Sequence, residues 1–475
     1  MSSSLEIIVL AAGKGTRMKS QMPKVLHRLC GRTLLERVLR AGAALAPKKI
    51  VVVAGYGEDA LRKELELLRD QAFLSGIEVE VRVQAEQRGT GHAAEIGLAG
   101  VSANAELVLV LPGDGPLLRG SDLQPLAAAV QSAGAELGVL TCLHPNPEGF
   151  GRIIRSESGA VEAIVEEKDC SKEQRGIQEI NTSIYLGRRS FFAKALPTLE
   201  SKNAQGELYL TDVVKYAVQN GCSVVTVTSD DTAPVLGANT RHELSQLEAL
   251  RRHEINRAWM EAGVTLEDPV NTYIDEDVEI GPDTFIGAGT RLRGRTIIEN
   301  NVRIEGLSLI QDSHIETGSH IRLSCEIERS KVGAECDIGP FAHLRPGSFL
   351  WEKVKIGNFV ETKKVELHRG VKANHLTYLG DAEVGGGTNI GAGTITCNYD
   401  GLRKHQTKIG AACFIGSNTA LVAPVEVGSG AYVGAGSTIT QSVPGGALGV
   451  ARGAQRNIEG WAARKKITAR EPEQS

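Results

Sequence analysis

From about Tyr273 to Thr440 an aliphatic residue returns every six positions, a beat that very few folds accommodate. Ile274, Ile280, Ile286, Leu292, Ile298, Ile304 and Ile310 follow one another at that spacing, and after small slips the beat resumes at Ile315, Ile321 and Ile327. Val332, Ile338, Leu344, Leu350 and Ile356 continue it, then Val384 and Ile390, and lastly Ile409, Ile415, Leu421, Val427, Val433 and Ile439. Six is neither the helix repeat of about 3.6 residues nor the strand alternation of two. Short strands separated by turns and stacked coil on coil do satisfy it, because each aliphatic side chain then lands above its counterpart one coil earlier. A β-solenoid is expected. Small or β-branched residues such as Thr284, Thr290, Val302, Ala342 and Thr419 fall four positions after a column residue, and Cys336 and Cys413 take the same place as small apolar fillers. Glycines in Ile286-Gly287, Ile338-Gly339 and Ile415-Gly416, with Asn389 and Asn418, are expected at turns of positive φ.

The chain has 475 residues, enough for two or three domains with real cores. A net charge of -4 and a pI near 6.3 give no electrostatic reason to expect nucleic acid or a membrane as partner. No apolar run approaches membrane-spanning length, and Met1-Ser2-Ser3-Ser4 leads straight into a strand without a signal peptide, so a cytoplasmic protein is expected. The eight cysteines form no CxxC pair, which argues against zinc and a disulfide framework and for reduced thiols.

Residues 1–241 follow another grammar. Apolar strands at Leu5 to Ala11, Ile50 to Ala54, Val79 to Val83 and Leu107 to Leu111 alternate with helical stretches at Leu34 to Leu45, Asp59 to Leu68 and Gly91 to Leu98. That alternation predicts a Rossmann-like α/β domain, a parallel sheet with helices on both faces and ligands beyond the carboxyl ends of the strands, near Ala12, Gln84 and Asp114. Residues 242–262 lack glycine and proline, space their apolar residues helically and stop at Gly263, which predicts a linker helix before a β-helix domain over 263–475. His242 and His253 are read as solvated helix residues.

The first strand end carries Leu10, Ala11, Ala12, Gly13, Lys14, Gly15, Thr16 and Arg17, with Pro23-Lys24 following. Small residues let a backbone approach a base and phosphates, and Lys14, Arg17 and Lys24 supply charge for a polyphosphate. The string is neither a Walker A loop nor GxGxxG. It resembles the signature of sugar-1-phosphate nucleotidylyltransferases. That resemblance implies that Gln84, Gly89 and Thr90 read uracil in UTP, that Pro112, Gly113 and Asp114 form the metal-bearing strand end, and that Gly151, Glu166 and Asn181 hold the sugar. It further implies that Asn239, in Gly237-Ala238-Asn239, is the second ligand of Mg2+ beside Asp114. Both are hard oxygen donors suited to magnesium. Pro112 departs from the family pattern, which often has an aromatic or hydroxyl residue there, and proline has no amide hydrogen to donate.

The hexads resemble the left-handed parallel β-helix of hexapeptide-repeat acyltransferases, and the handedness is taken from that likeness. Between Ile356 and Val384, and again between Ile390 and Ile409, the beat is disturbed by stretches rich in His, Lys, Tyr and Asn, which read as surface insertions forming a binding face. With Gly339-Pro340-Phe341 and Leu344-Arg345-Pro346-Gly347, these stretches resemble the bacterial family that joins N-acetylglucosamine-1-phosphate uridyltransferase to glucosamine-1-phosphate acetyltransferase. The resemblance spans nearly the whole chain. It implies that His375 is the base; that Arg345, Lys363, Tyr378 and Asn389 bind the sugar phosphate; and that Ala392, Asn398, Tyr399, Ser417, Ala435 and Arg452 line the acetyl-CoA site, with Lys404 near its phosphates. Asn374 stands where relatives often have glycine, and asparagine tolerates positive φ better than most residues. The substrates implied are glucosamine-1-phosphate, acetyl-CoA, UTP and N-acetylglucosamine-1-phosphate, and the assembly implied is a homotrimer. The Arg464-Lys465-Lys466 tail reads equally as a reach toward an adjoining coenzyme or as a solvated end. Two other functions stay open at this stage: a nucleotidylyltransferase whose β-helix only regulates or assembles it, and a non-catalytic assembly subunit.

Overall fold

The computed structural model describes residues 4–465, so that Met1, Ser2 and Ser3 of the start and Lys466 of the basic tail lie outside the described residues. The chain forms two compact units that part between Ile255 and Asn256.

In the first unit, strands β1 (Leu5–Ala11), β2 (Lys49–Ala54), β3 (Glu78–Val83) and β4 (Leu107–Pro112) pair in parallel in the order β3-β2-β1-β4. Side chains alternate across β1. Ile7, Val9 and Ala11 join a core with Leu35, Val38 and Leu39 of helix α1 (Leu34–Ala43) and with Leu61 and Leu65 of α2 (Glu58–Leu68). Ile8 turns the other way, onto Ala93, Ala94 and Leu98 of α3 (Thr90–Leu98). Near-continuous apolar strands are what a sheet covered on both faces requires. The sheet is not wholly parallel, however. After β5 (Leu137–Leu143) the hairpin β6 (Arg152–Arg155) and β7 (Val161–Val165) keeps the chain at the carboxyl edge. Strand β8 (Glu179–Arg188) therefore returns antiparallel between β4 and β5 with no crossover helix. Strand β9 (Val224–Ser229) closes the sheet, parallel to β5. A single helix, Arg241–Glu261, crosses the point where the units part, and Gly263 at φ 95° follows it. His242 and His253 are exposed.

The second unit is a parallel β-helix with three strands per coil. Ile274 pairs with Leu292, Ile280 with Ile298 and Ile286 with Ile304, each eighteen positions on, so three hexads make one turn. Three columns result: a first face through Ile274, Leu292 and Ile310, a second through Ile280 and Ile298, and a third through Ile286 and Ile304. Among the described residues no helix is long and apolar enough to cross a membrane.

The stretch from 361 to 381 departs from expectation, for it is no insertion. Its strands Glu361–Leu367, Lys372–His375 and Tyr378–Val384 keep the pairing, and Thr362, Leu367, Ala373 and Leu379 fill the columns where the aliphatic beat fades. The columns require only a side chain that fits, and Thr and Ala fit. The extra residues fall in the next coil, where Thr396 pairs with Leu421 and residues 398–405 are added. Asn374 lies in extended strand, and the left-handed residue after it is Leu376, at φ 45°. Asn389 is likewise in strand, whereas Asn418 does have positive φ, 56°. Gly287 and Gly416 serve close approach, since a Cβ on either would meet the backbone of the adjacent coil at 2.3 and 2.5 Å. Burial pushes the Cys336 thiol up to about 12, which keeps it an inert filler.

Ile338 is fully buried between Ile321 and Ile356. Ile338→Ala should cost about 2–5 kcal/mol in urea unfolding of the β-helix, whereas Lys355→Ala beside it on the outer surface should cost less than about 0.5 kcal/mol.

Candidate active sites

The carboxyl ends of β1 to β4 hold the first site. Gln87 donates to the carbonyl of Ala12 at 2.7 Å, and the backbone of Gln84 donates to Ala54 at 2.7 Å, which draws the β3 end onto the loop after β1. Gln84 is almost fully buried, and its amide nitrogen donates to the Gly89 carbonyl at 3.1 Å. Gly89 has φ 108°, and a Cβ there would strike Leu208 at 2.5 Å, so this turn requires glycine. Thr90 accepts from Leu210 N. Pro112 ends β4 opposite Leu10, and the amide of Gly113 makes the next bond, to Leu10 at 2.9 Å. Gly13, Lys14 and Arg17 are exposed beside this edge.

Asp114 follows directly. Lys24 Nζ donates to its Oδ2 and, at 3.1 Å, to Asn239 Oδ1. Two oxygen donors from segments far apart in sequence therefore already surround a cation, and the set suits a divalent ion of magnesium's hardness. Ala238 N donates to the Asp114 carbonyl at 3.1 Å, and Asn239 N donates to Glu243 Oε2 at 2.7 Å.

Gly151, Glu166 and Asn181 come together: a Cβ on Gly151 would lie 3.5 Å from Asn181 Cβ and 3.6 Å from Glu166 Oε2. Tyr185 and the Ser183 amide both donate to Asn181 Oδ1, fixing the amide group's direction. Burial pushes the Glu166 carboxyl above its ordinary value, with Thr211, which donates to it at 3.2 Å, acting the other way.

On the β-helix the register sorts the remaining candidates onto two edges. Asn358, His375, Ala392, Ser417 and Ala435 each stand two residues beyond the third column, at Ile356, Ala373, Ile390, Ile415 and Val433. They share one edge, where Arg452 donates to the Ala435 carbonyl at 2.7 Å. His375 is exposed there. Asn389 lies on the third face and Tyr378 on the first, to either side of it. The opposite edge of the first face holds Arg345, Lys363 and the 398–405 loop. Lys404, in close contact, and Arg345 together hold the Lys363 ammonium below its ordinary value. Arg345 bonds Glu361 at 2.7 Å, Asn398 bonds Asp381 at 2.5 Å, and a bridge between Tyr399 and Lys404 closes the loop. Lys404 thus stands beside Lys363 and Arg345, and Asn398 and Tyr399 lie apart from Ala392, Ser417 and Ala435.

Residues 7–174 match the family model of the MobA-like NTP transferase domain, residues 269–377 that of the GMPPB C-terminal domain, and residues 406–441 that of bacterial transferase hexapeptides. The bifunctional protein GlmU of Pelobacter propionicus is 44% identical over 97% of this chain and 98% of its own length. GlmU of Pseudomonas entomophila is 47% identical over 98% and 99%. The chain belongs to the GlmU family. It is accordingly a bifunctional transferase, with an NTP-transferase fold ahead of a left-handed hexapeptide β-helix. GlmU membership also disfavours a merely regulatory β-helix.

Several residues of these sites escaped the sequence reading. Glu361 and Asp381 stood inside strings singled out for other residues, and their pairing emerges only from the register. Gln87 and Thr211 act through partners distant in sequence, on Ala12 and Glu166, whereas Glu243 and Tyr185 each reach only four positions, to Asn239 and Asn181, in contacts that no residue motif marks.

Glu166 yields a test. A carboxyl raised by burial costs nothing below its unfolded value of 4.5 and destabilises increasingly as pH rises past it. Glu166→Gln should therefore raise the melting temperature at pH 7 and lose that gain near pH 4, while weakening sugar-phosphate binding.

Proposed function

We propose that this chain makes UDP-N-acetylglucosamine in two steps on separate surfaces: acetyl transfer from acetyl-CoA to glucosamine-1-phosphate, then uridylyl transfer from UTP to N-acetylglucosamine-1-phosphate with release of pyrophosphate. The observation that carries the reading is the presence in one GlmU-family chain of both the Lys24–Asp114–Asn239 cluster and the His375 edge.

In uridylyl transfer a sugar-phosphate oxygen attacks the α-phosphorus in line, and two anions must meet. Asp114 and Asn239 would hold Mg2+, which when bound neutralises phosphate charge. Lys14, Arg17 and Lys24 steady the triphosphate and the leaving pyrophosphate. Gln84 and the Gly89 turn bind the base. Gly151 leaves room for the sugar, against which Glu166 and Asn181 present oxygens and an amide.

In acetyl transfer the glucosamine nitrogen attacks the thioester carbonyl, the C–S bond breaks, and coenzyme A leaves as the thiol. His375 takes the amine proton. Arg345, Lys363 and Lys404 form a compact cationic set for the sugar phosphate. No nucleophilic cysteine or serine motif favours an acyl-enzyme. The two groups of residues lie on the two edges that bound one face, so we place the acetyl site between neighbouring chains in a homotrimer, one edge from each. Exposed Phe341 and Phe359, stacked 5.5 Å apart on the His375 edge, support a covered flank. The substrates and reduced thiols suit the cytoplasm.

Omitting glucosamine-1-phosphate, acetyl-CoA or UTP in turn from a coupled assay should each stop product formation. Asp114→Ala should abolish uridylyl transfer and leave acetyl transfer, whereas His375→Ala should lower acetyl transfer about 10²–10⁴-fold and spare uridylyl transfer; a joint loss would contradict separate sites. Chains carrying Lys363→Ala and chains carrying His375→Ala, each inactive in acetyl transfer, should recover about a quarter of wild-type activity when co-assembled at random, and no recovery would place the site within one chain.

A further inference from the structure

In the first site a cation already occupies the place assigned to a metal. Lys24 Nζ bonds Asp114 Oδ2 and lies 3.1 Å from Asn239 Oδ1. Both oxygens sit on short side chains whose backbones are held. Asp114 is backed by Gly237, on which a Cβ would stand 3.2 Å from the carboxyl carbon, and Ala238 N holds its carbonyl. Asn239 is tied through its own amide to Glu243. The lysine is built differently. Its backbone is pinned, because Pro23 packs on Gly57 and the Lys24 stem packs on Gly15, yet its side chain turns about four single bonds.

We infer that Lys24 is a plug as well as a phosphate ligand. In the nucleotide-free protein its ammonium closes the gap between Asp114 and Asn239, and the triphosphate must draw it aside before a divalent cation settles there. An ammonium and a divalent ion cannot share one carboxylate oxygen at these distances without strong repulsion. Triphosphate oxygens offer the ammonium a better partner, and one rotation of the side chain hands Asp114 over. Metal alone is refused, and Asp114 is never left as an unpaired, mostly buried carboxylate. The inference rests on the assignment of Asp114 and Asn239 as metal ligands.

Manganese(II) binding to the full chain without nucleotide, followed by the electron paramagnetic resonance signal of the free ion, tests it. Lys24→Met should bind Mn2+ at least about tenfold more tightly than wild type, while Lys24→Arg keeps the weak binding. Lys14→Met removes a charge from the same loop without touching the plug and should change binding less than about twofold. In the Lys24→Met background, Asp114→Asn should restore weak binding. Melting temperatures near wild type establish that each variant is folded. Equal affinity in wild type and Lys24→Met, with Asp114→Asn weakening both, would overturn the plug and leave the metal assignment standing. Binding indifferent to Asp114→Asn in every background would remove the assignment and the plug together. A Lys14→Met effect as large as that of Lys24→Met would reduce the lysine to bulk charge and overturn the plug.

Discussion

The coil-to-coil backbone ladder of the β-helix is the constraint on which its chemistry depends. Each coil donates to the one beside it, as Gly339 N does to Ile356 at 2.8 Å and Gly416 N to Val433 at 2.9 Å, so no coil can slip without losing its whole set of bonds. A slip by one residue would also turn the column side chains outward. Because the ladder fixes register, residues equivalent within successive coils recur on the same edge. His375, Ser417 and Ala435 stand in one line for that reason, although 60 positions of chain separate the first from the last.

Both sites solve one electrostatic problem by different means. The first gathers Lys24 against Asp114 and Asn239, cancelling charge inside a half-enclosed cleft. The second crowds Arg345, Lys363 and Lys404 on an open edge, where water screens them from one another. In the first, the carboxylate is the scarce resource and a cation lies against it; in the second, the cations outnumber the carboxylate among them, Glu361, which holds Arg345 in place.

Much of this was legible in the sequence because hexads and loop signatures are local. The β1 loop, the Pro23-Lys24 step and the columns from Ile274 to Ile356 needed no distant partner to be read. The signal failed where geometry replaced composition. Thr362 and Ala373 hold a column as well as isoleucine does, so a regular coil and the start of the next looked like an insertion. Gly287 and Gly416 looked like turn residues, yet they yield to an approaching backbone. The 398–405 loop brings Lys404 onto Lys363, a contact no linear spacing encodes. The antiparallel β8 was equally hidden, since a strand's direction is set by where the preceding hairpin leaves the chain.

The edge that carries His375 also acts as a ruler. Adjacent coils lie about 4.8 Å apart, so every position along that line is a whole number of rungs from the histidine. The 398–405 excursion leaves this count untouched, because the extra residues bulge sideways and the next rung resumes at Ser417. A thread-like ligand laid along the edge is therefore measured in discrete steps, and deleting one complete coil above His375 would shorten its berth by a fixed increment without disturbing the core beneath.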